Sequence, residues 1–420
     1  MPLDQPSNAT FASTRPEARG PLRGLRVLEL GHFIAAPFCT RLLADHGADV
    51  IKVEPPSGEP LRTWGAQAQG HSIIWSLHNR NKRCVTLDMK APAGRPAVEG
   101  LVRWADVIVE NFRPGQLERW GLGFPELQRI NPRIILVRIS GYGQTGPYKD
   151  RHSFGAIGEA VGGLRYLTGF PEEQVDLPSV RTGISIGDDI SALYAVAGVL
   201  SAVYERDVIG TGVGRQVDVA LYEGVFSLLE GILPEYGTLG SVRRPQGSGM
   251  PTAVPSDTYR AGDGQWLVIA GNSDPIFARL CRLMGRPEMA EDPRLTTNVG
   301  RLEHRAEVDA VIASWAATLP AADAERSLNE AGIPASRTFT VADCATDPHF
   351  QAREMVRPVD DPLIGCTLHP GVVPVFDDGG QKGEIAWPGP PVGAHNDEIY
   401  AGLLGFGCSE MQALRSSHAI

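Results

Sequence analysis

Cysteine is scarce and scattered in this 420-residue chain: Cys39, Cys84, Cys281, Cys344, Cys366 and Cys408 form no C-x-x-C pair. That spacing excludes the usual zinc sites and a disulfide framework, and it fits a reducing cytoplasm. No apolar run reaches about 18 residues, so no membrane span is expected. The opening stretch, MPLDQPSNATFASTRPEARG, lacks the apolar core of a secretory signal. Its Arg and Ser suit a mitochondrial address, but Asp4 and Glu17 argue against one. No strand is followed by G-x-G-x-x-G, and G-x-x-x-x-G-K-[ST] does not occur, so ordinary dinucleotide and P-loop sites have no support. Internal repeats and low-complexity tracts are missing too.

What is present is the composition of a soluble globular protein, 42% hydrophobic and 21% charged, long enough for two or three domains. The net charge of −10 is uneven: residues 1–150 hold 19 Lys and Arg against 14 Asp and Glu, and the rest hold 20 against 35. An acidic chain with one basic part suits a small polyanion rather than nucleic acid.

From Arg26, short β-rich runs alternate with helical ones: LRVLEL (25–30), ADVIKVE (48–54), RCVTLDM (83–89), ADVIVENF (105–112) and RIILVRISGY (133–142). This pattern predicts an α/β fold with a parallel sheet covered on both faces, its ligands at the carboxyl ends of the strands. The basic run 78–83, with Lys90, Arg113 and Arg119, is either a solvated face or a set of phosphate ligands beside Asn111 and Phe112. Composition changes at 241–259, rich in Gly, Pro and Ser, which predicts a long functional loop. A hairpin over 258–271 and three helical segments then complete a smaller α+β unit. The expected division is a lead-in at 1–21, a large Rossmann-like domain over 22–225, a small domain over 226–332, and a return to the large one over 333–420.

Residues 181–206, RTGISIGDDISALYAVAGVLSAVYER, carry apolar positions at three- and four-residue steps from Ile190. Asp188 and Asp189 stand where that helix begins, beside unpaired N–H groups and the positive end of the dipole. One of them is an ordinary cap or a held carboxylate able to act as a covalent nucleophile. Local physics leaves both open.

Taken together, VLELGHFIAAPFCTRLLADHGADVIKVE (27–54), NRNKRCVTLDMK (79–90), ADVIVENFRPG (105–115), NPRIILVRISGYGQTGPY (131–148), GISIGDD (183–189) and GPPVGAHNDEI (389–399) resemble the family III CoA-transferases, the formyl-CoA transferase family. The resemblance implies Asp188 as nucleophile and leaves Asp189 a structural role. It puts CoA contacts at Phe33, Ala35, Leu87, Lys90, Asn111, Phe112, Arg119 and His152, with His32 and Ile34 in the active-site loop. Gly247, Ser248 and Gly249 become a candidate lid. Ile34 replaces a Gln of formyl-CoA transferase and Pro55 an Arg, which points away from formyl-CoA and oxalate. GEAVGGLRYLTG (158–169) and RTGISIGD (181–188) are similar to members using succinyl-CoA with dicarboxylates or hydroxydicarboxylates. Arg165 and Arg181 are then candidates for the acceptor carboxylate, or structural salt bridges. The resemblance further implies an interlocked homodimer, CoA thioesters as substrates, and no permanent cofactor, metal, nucleic acid or membrane partner. Formyl-CoA/oxalate-type or carnitine-type transfer, 2-methylacyl-CoA racemisation and non-catalytic CoA binding are the alternatives.

Overall fold

The computed structural model describes residues 20–171, 173–376 and 383–420. The described residues form two compact units: 20–164, 182–238, 351–376 and 383–420 belong to the first, 165–171, 173–181 and 239–350 to the second.

In the first unit the chain runs β1 (Arg26–Glu29), α1 (Ala35–Asp45), β2 (Asp49–Glu54), a short hairpin of β3 (Gln67–Ala68) and β4 (His71–Ser72), α2 (Ile73–His78), β5 (Lys82–Thr86) and α3 (Arg95–Trp104). It continues with β6 (Val107–Glu110), α4 (Gln116–Arg119), α5 (Phe124–Ile130), β7 (Ile135–Ser140) and α6 (Gly155–Val161). After α7 (Leu164–Leu167) come α8 (Ile186–Asp207), β8 (Gln216–Ala220) and α9 (Leu221–Ser227). Six strands pair in parallel in the order β5-β2-β1-β6-β7-β8. Counting only these strands, that is the doubly wound order 3-2-1-4-5-6, whose switch point lies between β1 and β6.

Side chains alternate across a strand, so a sheet covered on both faces needs apolar residues at nearly every position. Leu28, Ile51, Val85, Ile108 and Leu136 face Leu101 of α3, Leu127 of α5, and Tyr400, Met411 and Leu414 near the C-terminus. Val27, Val50, Val107, Val109 and Val137 face Cys39 and Leu43 of α1 and Ala192, Ala195 and Val199 of α8. By length and composition α8 could cross a membrane; one of its faces packs into this core.

The returning chain adds β12 (Val356–Asp361) antiparallel to β13 (Gly365–Pro370), then binds the free edge of β5. There His395 Nδ1 accepts from Cys84 N–H (3.1 Å) and Asn396 Oδ1 from Thr86 N–H (2.9 Å).

The second unit is built on β9 (Ser256–Arg260), β10 (Trp266–Ala270) and β11 (Ala335–Arg337), an antiparallel sheet in the order β11-β10-β9. Helices Asp274–Leu283, Arg305–Ala316 and Ala321–Glu330 pack on it around Leu267, Ile269, Phe277, Leu280, Ile312 and Leu328. Composition placed the limits of this unit at 226 and 332, yet residues 165–181 join it. They do so through the backbone: Gly247 N–H donates to Gly169 O (2.9 Å).

Candidate active site

A cavity of about 620 Å³ opens at the switch point of the parallel sheet, lined by His32, Pro55, Leu87, Met89, Lys90, Phe112, Arg113, Gln116, Arg119 and Trp120. The chain turns away from β1 at Gly31-His32-Phe33 and from β6 at Asn111-Phe112-Arg113, and one side chain joins the two turns. Asn111 Oδ1 accepts from His32 N–H (2.8 Å) while its Nδ2 donates to His32 O (2.9 Å). One of the two N–H donors of the Asn111 amide thereby ties the loop.

The cavity wall combines aromatic faces with cations. Phe112 meets His32 and Trp120 edge to face, at 5.2 and 5.1 Å between centroids. Lys90 lies 5.9 Å from the Trp120 ring, Arg119 donates to Gln116 Oε1 (2.6 Å), and Arg113 donates to His152 Nε2 (3.0 Å). Their partners are an aromatic ring, an amide and an imidazole, which leaves the positive charge available to phosphates. Beneath, Glu110 accepts from Phe112 N–H (2.6 Å) and Arg138 Nε (2.7 Å), and Arg138 reaches on to Glu118 of α4. Burial pushes the Glu110 carboxyl up to about 7 against the pull of Arg138.

Of the residues expected to touch CoA, Leu87, Lys90, Phe112 and Arg119 line this cavity, and His152 reaches it through Arg113. Ala35 is buried at the start of α1, and Phe33 packs edge to face on Trp64 (6.5 Å). Ile34 does not face the cavity: it is buried among Leu61, Trp75 and Cys84. Arg113, read from sequence as a solvated residue or a phosphate ligand, lines the cavity. Trp120, Met89 and Gln116 were not singled out; Trp120 follows Arg119 directly, and that adjacency was the available signal.

The basic run 78–83 is neither a solvated face nor a phosphate site. Arg80 is buried on Asp45 (2.7 Å), Lys82 on Glu29 (2.7 Å), and Arg83 pairs with Asp49 and Glu398. Lys52 completes the group, 2.6 Å from Glu29 and 2.9 Å from Glu59.

The helix bearing Asp188 starts two residues before it, at Ile186, so Ser185 and not an aspartate occupies the cap position. Asp188 sits in the first turn, where the dipole favours a carboxylate. Two glycines seat it. A Cβ on Gly155 would stand 2.0 Å from Asp188 Oδ2, and one on Gly187 would stand 2.7 Å from Gly155 O. The carboxylate therefore rests against the backbone that opens α6. Asp189, half-buried, faces α1 instead: burial pushes its carboxyl up to about 6, opposed by Arg41.

Gly247, Ser248 and Gly249 lie in the second unit, as do Arg165, half-buried, and Arg181, exposed. Ser248 Oγ donates to Asp257 Oδ1 (2.5 Å) and Arg305 donates to Met250 O (2.6 Å), which ties the loop to its own unit. Among the described residues no cluster of His, Cys, Asp and Glu has the makings of a metal site.

Comparison with known proteins agrees with this geometry. The model of CoA-transferase family III matches residues 22–396. Succinyl-CoA–D-citramalate CoA-transferase of Chloroflexus aurantiacus is 45% identical over 98% of this chain and 100% of its own. The β subunit of succinyl-CoA–L-malate CoA-transferase from the same organism is 39% identical over 95% of this chain and 98% of its own. Among solved structures, a CAIB/BAIF family protein from Brucella suis superposes with a TM-score of 0.80 at 33% identity, over 92% of this chain and 100% of that one.

Proposed function

Since this chain belongs to CoA-transferase family III, we propose that it moves CoA from succinyl-CoA to a small dicarboxylate or hydroxydicarboxylate, with citramalate as the leading acceptor. The likeness to the citramalate enzyme along its whole length carries the choice of substrates.

The residues supply a route. Asp188 attacks the thioester carbonyl, forming a mixed anhydride and releasing CoA thiolate. The thiolate attacks the aspartyl carbonyl, giving an aspartyl-CoA thioester and free succinate. The acceptor carboxylate attacks that thioester, again expelling thiolate and forming a second anhydride. Thiolate then attacks the acceptor's acyl carbon, yielding the new acyl-CoA and restoring Asp188. Each acyl intermediate reacts with water, so transfer needs a cover, and the Gly247–Gly249 loop is that cover in our reading. The carboxyl groups of the acceptor want guanidinium partners, and Arg165 and Arg181 are the candidates.

The run Ser153-Phe154-Gly155-Ala156-Ile157 carries neither a His nor an acid, which favours transfer over racemisation. The outer face of α8 exposes Leu193, Tyr194, Leu200 and Tyr204, an apolar stripe suited to a second subunit. The working assembly in this reading is an interlocked homodimer in the cytoplasm. The test is to supply succinyl-CoA with citramalate, malate or oxalate and to follow acyl-CoA products by mass spectrometry. Citramalyl-CoA formed fastest supports the reading; transfer confined to oxalate overturns the acceptor class.

A further inference from the structure

We infer that Glu59 is a positioning residue for CoA binding, which holds the Phe33 backbone and the His32 ring so that His32 offers its Nε2 edge to the CoA cavity. The inference rests on the CoA-transferase reading and adds to it a residue that none of the motifs above contains.

The Glu59 side chain is fully buried; Oε2 accepts a hydrogen bond and Oε1 lies at ion-pair distance from a lysine. Oε2 accepts from Phe33 N–H (3.0 Å) and lies 3.4 Å from His32 Nδ1, while Oε1 lies 2.9 Å from Lys52 Nζ. Lys52 also donates to Glu29 (2.6 Å) and to Gly31 O (3.0 Å), and Lys82 donates to Glu29 (2.7 Å) and Pro37 O (2.9 Å). Two lysines and two glutamates thus form a formally neutral buried cluster that grips the loop at Gly31 and Pro37. Removing one acid would leave an uncompensated buried cation.

The loop needs such a bed. Phe33 has φ 59°, a left-handed backbone that a residue with a side chain adopts only where its surroundings impose it. The carboxylate on its N–H is one such constraint. Asn111 fixes the peptide groups of His32, while Phe112 packs on the ring and Glu59 faces its Nδ1. His32 Nδ1 is buried, yet 28% of the side chain is exposed and the residue lines the cavity. The open part of the ring is therefore the edge away from Nδ1. At 3.4 Å the Glu59 carboxylate faces Nδ1 without a formed hydrogen bond, so in this inference a small closing movement on ligand binding brings Nδ1–H onto it and leaves the Nε2 lone pair for an amide N–H of the pantetheine arm of CoA. Burial alone would raise the Glu59 carboxyl, but the Lys52 ammonium beside it is the main influence holding it down at about 2.

The experiment uses the full-length protein, Glu59→Gln, His32→Ala and the double variant, with free CoA titrated by calorimetry and acyl-CoA kinetics alongside. Glu59→Gln is expected to weaken CoA binding roughly tenfold or more, as for a lost charge-assisted hydrogen bond. KM for the acyl-CoA should rise while kcat changes by less than about threefold. In the His32→Ala background the second change should cost clearly less than in the wild type, the remainder being the share carried by the Phe33 backbone. Unchanged CoA affinity, or losses that add, would overturn the inference. If Glu59→Gln fails to fold, histidine ¹⁵N spectra of the wild type decide alone: an Nδ1–H tautomer at His32 supports the role and an Nε2–H tautomer overturns it. A wild-type protein that bound no CoA would overturn the transferase reading itself, whereas CoA binding indifferent to Glu59 would sink only this inference.

Discussion

Two groups of basic residues lie close together in the first unit and do opposite work. Lys52, Arg80 and Lys82 are buried and matched by Glu29, Glu59 and Asp45. Lys90, Arg113 and Arg119 stand at the mouth of the cavity beside an aromatic ring, an imidazole and an amide. A buried cation with a carboxylate partner has its field cancelled and can only hold structure. A rim cation without one keeps its field for a ligand. Compensation, rather than charge, separates the bed of the cavity from its rim.

The sharpest way to break this contrast is Lys82→Met. Leaving Glu29 short of a partner should lower stability by about 3–5 kcal/mol, read as a fall in the urea midpoint, with CoA affinity of the folded fraction almost unchanged. Arg119→Ala should do the reverse. Stability should stay within about 0.5 kcal/mol, while CoA binding loses about 1.5–3 kcal/mol and becomes less sensitive to salt. If both variants lost stability and affinity alike, the contrast would collapse. Trp120→Ala should weaken CoA by about 1–3 kcal/mol if an adenine stacks there, and free pantetheine should not sense it.

The smallest effect concerns a carboxylate with too little compensation. The folded-state pKa of Asp189 is raised to about 6, so its contribution to stability is present below its unfolded value and lost as pH rises through about 6. Asp189→Asn should therefore raise Tm by about 2–4 °C at pH 8 and leave it nearly unchanged at pH 4. An equal shift at both pH values would mean that Asp189 does not titrate in this range.

Much of the fold was legible because each central strand is a short β-branched run bounded by turn residues, and the loops after β1 and β6 carry His32 and Phe112 where a doubly wound sheet binds its ligands. The fate of the basic run was not. Arg80 and Lys82 look like any surface cluster until Asp45 and Glu29 meet them from 35 and 53 residues away. That Gly155 seats Asp188 depends on α6 meeting the start of α8, which no local pattern shows. Glu59 escaped notice because its partners come from different places, Phe33 from the loop after β1 and Lys52 from within β2. The segment 165–181 was placed in the wrong unit because backbone pairing with Gly247 leaves no mark in composition.

The most direct test of the account is mass spectrometry of the protein after incubation with succinyl-CoA, with hydroxylamine present to trap an activated carboxylate. A hydroxamate on the peptide holding Asp188, and none on Asp188→Asn, is the result the account predicts. Full CoA transfer by Asp188→Asn, with no adduct on either protein, would contradict it.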